Sequence, residues 1–312
     1  MSHQHSSMQA TCPMSRYSET FNPFADPYLS DPFSYLKHAR EQEPVFYSPE
    51  LQAFVVPSVW ASPNRRSPPS KRGLNMARVL FAVTGSRHWT LNDGTQHPCG
   101  YWPEELAVPH EVFAAAGLQI TVATPGAVSP VPDEAGFTPE MNGGSEEPGR
   151  RFRAYLDRIS DQLANPVDLD EVTADDFDLV FVPGGHGPME DLAGSASFGR
   201  LLAAFTTQNK AVAAVCHGPA ALLPAHDEYG WLFRGRRVTG FTNVEEAQVG
   251  FADRAPWLLE DRLQEVGGAF EASAAPWQPH FVVDGNLYTG QNPASSLPLA
   301  QLLLTAVASA HA

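Results

Sequence analysis

The sequence predicts an α/β domain built on a doubly wound, mostly parallel sheet with helices on both faces, and three observations carry that prediction. From residue 77 onward, short apolar runs alternate with longer segments of helical periodicity. The runs lack the apolar–polar alternation of a half-exposed strand, as expected of strands buried on both faces. Regular strand–helix alternation implies parallel βαβ units, whose ligands sit at the carboxyl ends of the strands.

In order, Ala77–Val83 (ARVLFAV) reads as the first strand and Pro103–Gly117 as a helix with proline near its start and glycine at its stop. Gln119–Ala123 and Phe177–Val182 are the next strands, the latter running into PGGHG. A helix follows over Ser197–Asn209, then the strand Ala211–Val215, which meets CHGPAALL. Further elements are a strand at Arg237–Phe241, a helix at Trp257–Val266, strands at His280–Asp284 and Asn286–Thr289 joined through VDGN, and a helix over Ala294–Ala308. Residues 1–75 read as a separate extension ending in the Pro/Ser-rich linker PPSKRGLN, and 76–312 as the main domain.

Composition sets limits. The 312 residues are 43% hydrophobic, yet no apolar run approaches the roughly 18–20 residues that span a bilayer, and the N-terminus carries no signal-peptide pattern. Three scattered cysteines, Cys12, Cys99 and Cys216, make no disulfide framework and point to the cytoplasm. A formal charge of −15 argues against nucleic acid, which needs a basic surface. No membrane partner is expected either.

The strongest chemical signal is AVAAV-Cys216-His217-Gly-Pro: a buried strand ends on a thiol and a helix is expected to start at once. Such a corner lifts the nucleophile out of the sheet, often at the cost of backbone strain. A helix N-terminus would lower the thiol pKa, and the His217 N–H would supply half of an oxyanion hole. A lone cysteine is ordinarily a core residue; the context reverses that reading here. In PGGHG, Gly185 is the expected second oxyanion donor, with His186 beside it as a substrate-binding candidate.

Of the acid pair opening the Pro103 helix, capping chemistry accounts for Glu104, while Glu105 is a candidate acid/base toward the thiol. In TGFTNVEE, Glu246 is placed to orient His217, and Glu245 reads as a solvated acid. Cys99 is a minor candidate for a second reactive thiol. No Cys/His/Asp set has zinc spacing, so no metal site is predicted.

VCHGPAAL, FVPGGHG, WPEELAVP and LYTGQNPASS, in this order and at these places, resemble the ThiJ/PfpI superfamily, relatives of class I glutamine amidotransferases. The likeness covers about residues 77–308 and is nearest the heat-shock branch of cofactor-independent glyoxalases, also described as protein deglycases and holding chaperones. It implies a flavodoxin-like sandwich, usually dimeric, with Cys216 as nucleophile, His217 and Glu246 behind it and Glu105 touching the thiol. Some members bind a metal through histidines on the following helix; here Ala114 stands where one is needed. The implied reaction turns a small 2-oxoaldehyde, methylglyoxal, into D-lactate without cofactor. A cysteine-dependent amidase or isonitrile hydratase, and a redox-sensing chaperone oxidised at Cys216, stand as alternatives. Separately, FNPFADPYLSDPFSYLKHAREQEPVFYSPELQAFVV resembles the N-terminus of bacterial haem-thiolate monooxygenases, without any haem-ligand motif.

Overall fold

The computed structural model describes residues 46–48, 53–55 and 77–310. Contacts divide the chain into Met1–Pro68 and Pro69–Ala312. Of the first unit, the described part is an antiparallel ladder pairing Phe46–Ser48 with Ala53–Val55. Most of the monooxygenase-like stretch and the proposed linker lie outside the described residues.

In the second unit seven strands form one sheet: β1 (Arg78–Ala82), β2 (Gln119–Thr124), β3 (Val167–Asp168), β4 (Leu179–Val182), β5 (Ala211–Val215), β6 (Phe281–Asp284) and β7 (Leu287–Gly290). Their spatial order is β6-β7-β5-β4-β1-β2-β3. Every pair is parallel except the β6–β7 hairpin. The chain runs from β1 outward to β2 and β3, then returns to the other side of β1 for β4. This β1/β4 boundary is the switch point where such sheets open a crevice.

The central strands are apolar throughout because both faces are covered. Leu179, Val180, Phe181 and Val182 are all fully buried. Six main helices surround the sheet: α1 (Pro103–Ala115), α2 (Glu147–Arg158), α3 (Ala196–Thr207), α4 (Asn243–Gln248), α5 (Leu259–Glu265) and α6 (Ser296–Ala310). α1 packs against α6 and β2, and Phe113 meets Phe81 and Phe181 edge-on at 6.0 and 6.1 Å. Large aromatic contributions of this kind dominate core burial.

Two expectations need correcting. The strand expected over Arg237–Phe241 reduces to Arg237–Val238, which pairs in parallel with Ala269–Phe270 in a separate two-stranded ladder. Gly240 and Phe241 instead cover the Cys216 corner, where the Phe241 N–H donates to the Cys216 carbonyl at 2.8 Å. The segment 125–176 also holds elements not anticipated: α2, β3 and several 3-10 turns.

Candidate active site

The site begins with backbone geometry. Cys216 has φ +61, a left-handed conformation that costs a non-glycine residue on the order of 1–3 kcal/mol. Two backbone hydrogen bonds hold it there: its N–H donates to Gly290 on β7 at 2.9 Å, and its carbonyl accepts from Phe241. The chain continues as a single 3-10 turn, Gly218–Leu222. The expected helix is thus too short to bring the pKa-lowering dipole assumed from sequence.

The turn after β4 closes on this corner. A Cβ on Gly184 would lie 2.7 Å from the His217 nitrogen and 2.8 Å from Glu105 Oε2, so only glycine permits the approach. Gly185 takes φ +83, and its N–H donates to the Cys216 sulfur. The carbonyl of Gly184 accepts from Trp102 N–H at 2.9 Å, which ties the start of α1 to the same turn. Glu105, in the first turn of α1, is thereby placed at the thiol. Its Oε2 accepts the Gly184 N–H at 2.7 Å, and its carboxyl reaches the thiol.

On the other side, His217 Nδ1 is 3.3 Å from Cys216 Sγ and its Nε2 is 2.7 Å from Glu246 Oε2. Glu246 sits in the first turn of α4, not on a loop, and its Oε1 is 2.9 Å from His186 Nε2. An ionised Glu246 accepts from both Nε2–H groups, which leaves His217 Nδ1 without a proton and able to act as a base. His186 therefore presents its ring to Glu246, and also stacks on Trp89 at 4.5 Å and 9°.

Electrostatics divides the groups sharply. Burial raises the Glu105 carboxyl well above its usual range, against the pull of its hydrogen bonds to Cys216 and Gly184. Burial, then the Glu105 charge, raises the Cys216 thiol likewise, so the expected low-pKa cysteine is not what the fold builds. The two groups face each other, so the titration of each depends on the state of the other. His217 is pushed down by burial and by the neighbouring His186. Glu246 is held far below the carboxylate range despite its burial, because both histidines favour its charge.

Glu245 is not the solvated acid expected. It is fully buried and accepts from Thr242 N–H and Oγ1, Trp277 N–H, Gln291 Nε2 and Asn292 Nδ2 at 2.8–3.1 Å. It fastens α4 to the strand end that carries QNPASS, and so sets the position of its neighbour Glu246. Asp191 plays a similar part at the switch point, accepting from Thr84 Oγ1, Gly85 N–H and Ser86 N–H. Neither signal was readable as spacing in the sequence. Cys99 is buried among Asp133, Glu190 and Asp191, and burial first, then these charges, raises it to about 12. It is not a second reactive thiol.

His186 follows β4, His217 follows β5 and Glu246 lies in α4, which is why linear spacing gave no metal pattern. Their ligand atoms lie within 4.8 Å of one another. Both carboxylate oxygens already accept imidazole N–H groups at hydrogen-bond distances, so the three read as a relay rather than as ligands. The assembled groups can form a thiolate, move a proton through Glu105, and support hydrolysis through His217.

The chain is similar to several known proteins. Glutamine amidotransferase-like class 1 domain-containing protein 1 of Bos taurus is 34% identical over 199 residues, covering 62% of this chain and 82% of that protein. The protein/nucleic acid deglycase HchA of Pseudomonas aeruginosa is 30% identical over 235 residues, covering 72% and 79%. The crystal structure of glyoxalase III from Candida albicans matches with a TM-score of 0.64 and 26% identity over 74% of this chain and 98% of that one. The model of the DJ-1/PfpI family matches residues 100–306, a span that takes in Glu105, the turn after β4, Cys216 and Glu246, and the chain belongs to that family.

Proposed function

We propose that this protein is a glutathione-independent glyoxalase that converts methylglyoxal to D-lactate. The observation that carries the reading is Glu105: a fully buried carboxyl that burial raises well above the usual carboxylate range, held against a nucleophilic thiol. Glu105 accepts the Cys216 proton as the sulfur adds to the aldehyde carbon, C1, and hands it to the oxygen formed there, which frees its carboxylate again. The hemithioacetal oxygen is then met by the N–H groups of Gly185 and His217. Removal of the C1 proton by Glu105 gives an enediolate, and its return to C2, with the C1 hydroxyl proton passing to the C2 oxygen, leaves a lactoyl thioester. Water, losing its proton to His217 while Glu246 stabilises the imidazolium, cleaves the thioester and restores the thiol. No cofactor enters these steps.

Amide hydrolysis would use the Cys216–His217–Glu246 relay but would give Glu105 no task. A redox sensor needs an accessible thiolate, whereas Cys216 is 4% exposed and its thiol is raised. The same enclosure favours a small carbonyl compound over a protein-bound adduct, although deglycase activity draws on the same thiol chemistry. We place the protein in the cytoplasm, where the free thiols Cys99 and Cys216 stay reduced, and no described helix is long and apolar enough to cross a membrane. By its family resemblance it is assigned as a homodimer, checked by sedimentation against the 33.9 kDa chain mass.

The deciding experiment incubates purified protein with methylglyoxal without glutathione and assays D-lactate. Turnover is expected in the native protein and absent in Cys216→Ser. Equal, background-level lactate from both would remove the proposal.

A further inference from the structure

We infer that His186 is a positioning residue for the reaction: it holds the second oxygen of Glu246 and so fixes the rotation of the carboxylate that orients His217. The inference rests on the thiol chemistry proposed above. It departs from the sequence expectation, which put His186 at the substrate.

The geometry is specific. Glu246 is 3% exposed, and its two oxygens meet two different imidazoles, Oε2 with His217 at 2.7 Å and Oε1 with His186 at 2.9 Å. A carboxylate held at one oxygen can swing about its last bond; held at both, it has one orientation. His186 is itself immobilised. Its ring lies flat on Trp89, and Phe251 packs 5.1 Å away on the other wall. Trp89 belongs to a hairpin that Glu190 clips to the turn after His186, accepting from Thr90 N–H and Oγ1 at 2.8 and 2.9 Å. Phe251 N–H donates to the Glu246 carbonyl at 3.1 Å, so both walls are tied back to the relay.

The consequence is electrostatic as well as steric. The second N–H draws on the same negative charge that would otherwise serve His217 alone, and the imidazole of His186 stands 4.3 Å from that of His217. Both effects keep His217 neutral and therefore able to accept a proton. The other charged groups facing this pair are few. Glu245 and Glu246 favour the His217 imidazolium, and His97, set between Asp133 and Arg254, adjoins His186. On the sulfur side stand Cys216 and Glu105.

The test uses three variants. His186→Phe keeps a ring for Trp89 but has no donor. His186→Gln places an amide nitrogen where Nε2 lies. His186→Asn carries the same amide too close to the backbone to reach. The primary readout is the titration of the His217 ring by nitrogen NMR, which needs no substrate, and the second is kcat and KM with methylglyoxal. In H186F the His217 titration is expected to move up by about 0.5–1 pH unit, and kcat to fall about 10-fold with KM little changed. H186Q should return both toward the native values, and H186N should not. An unmoved His217 titration in folded H186F, or equal rescue by H186N and H186Q, would overturn the inference. If H186F fails to fold, the comparison of H186Q with H186N decides alone. A shifted titration in a protein that does not turn over methylglyoxal would sink the proposed substrate while leaving the positioning role standing.

Discussion

Glu105 and Glu246 are the same residue type and both buried, one at the thiol and one behind His217, yet the fold shifts their pKa values in opposite directions. Both oxygens of Glu246 accept imidazole N–H groups. Glu105 has one backbone donor on Oε2, and Oε1 has no hydrogen-bond partner of its own. Burial alone would raise both carboxyls. Two histidines reverse the sign for Glu246, and nothing comparable does so for Glu105. Acid/base roles therefore follow from the number of donors around each group. A starved carboxyl trades protons, and a saturated one stays charged and orients its neighbour.

Substitutions sharpen the contrast. Glu105→Gln removes the proton carrier while leaving shape intact, so kcat for methylglyoxal should fall by about 10³–10⁴. Retention of more than a tenth of native kcat would show that Glu105 is not the shuttle. Glu246→Gln leaves the shuttle in place and weakens only the orientation of His217. Its loss should be smaller, about 10², and should fall on thioester hydrolysis. Rapid-quench analysis should then find a lactoyl thioester accumulating on Cys216, which E105Q should never show. If both variants lose activity equally with no intermediate, the division of labour drawn here is wrong.

The contrast was only partly legible in the sequence. β1, β4 and β5 announce themselves as short apolar runs because parallel strands are buried on both faces. The corner at Cys216 follows from a strand ending in CHGP. Glu105 and Glu246 are candidates from their places at a helix start and after a strand, to which the resemblance adds roles, and the fold brings Glu105 to the thiol from α1 and Glu246 to His217 from α4. The thiol pKa was misread because desolvation depends on packing that no local pattern encodes. Glu245 was misread for the same reason: its donors lie up to 47 residues away, at Gln291 and Asn292. For α2 the signal was present. Phe152, Tyr155 and Leu156 fall at i, i+3 and i+4 and are the side chains it buries, but the charged residues between them masked a strand–helix rhythm.

Glu245 extends the lesson to stability. Five donors converge on it, so Glu245→Gln would face several of them with an amide N–H₂ and lose on the order of 2–3 kcal/mol. A fall in Tm of about 5–10 °C is expected in calorimetry, with a modest drop in kcat as α4 loosens. An unchanged Tm would mean that the donors find water instead.

Glu104 gives the smallest effect and the clearest sign. It lies half-buried beside Glu105, and burial, only partly offset by Arg151, pushes its carboxyl up to about 7. A folded pKa above the unfolded value means that the folded protein holds the extra proton. Its contribution is then fully present below about pH 4.3 and is lost as pH rises through about 7. Glu104→Gln removes the ionisation without removing the bulk. The variant should match the native protein near pH 4 and exceed it by on the order of 1–2 kcal/mol at pH 8, read from urea unfolding at both pH values. The effect should appear without loss of kcat, since Glu104 touches neither thiol nor relay. A variant less stable than the native protein at pH 8 would mean that the Arg151 interaction outweighs burial, and that starvation of donors at the head of α1 is confined to Glu105.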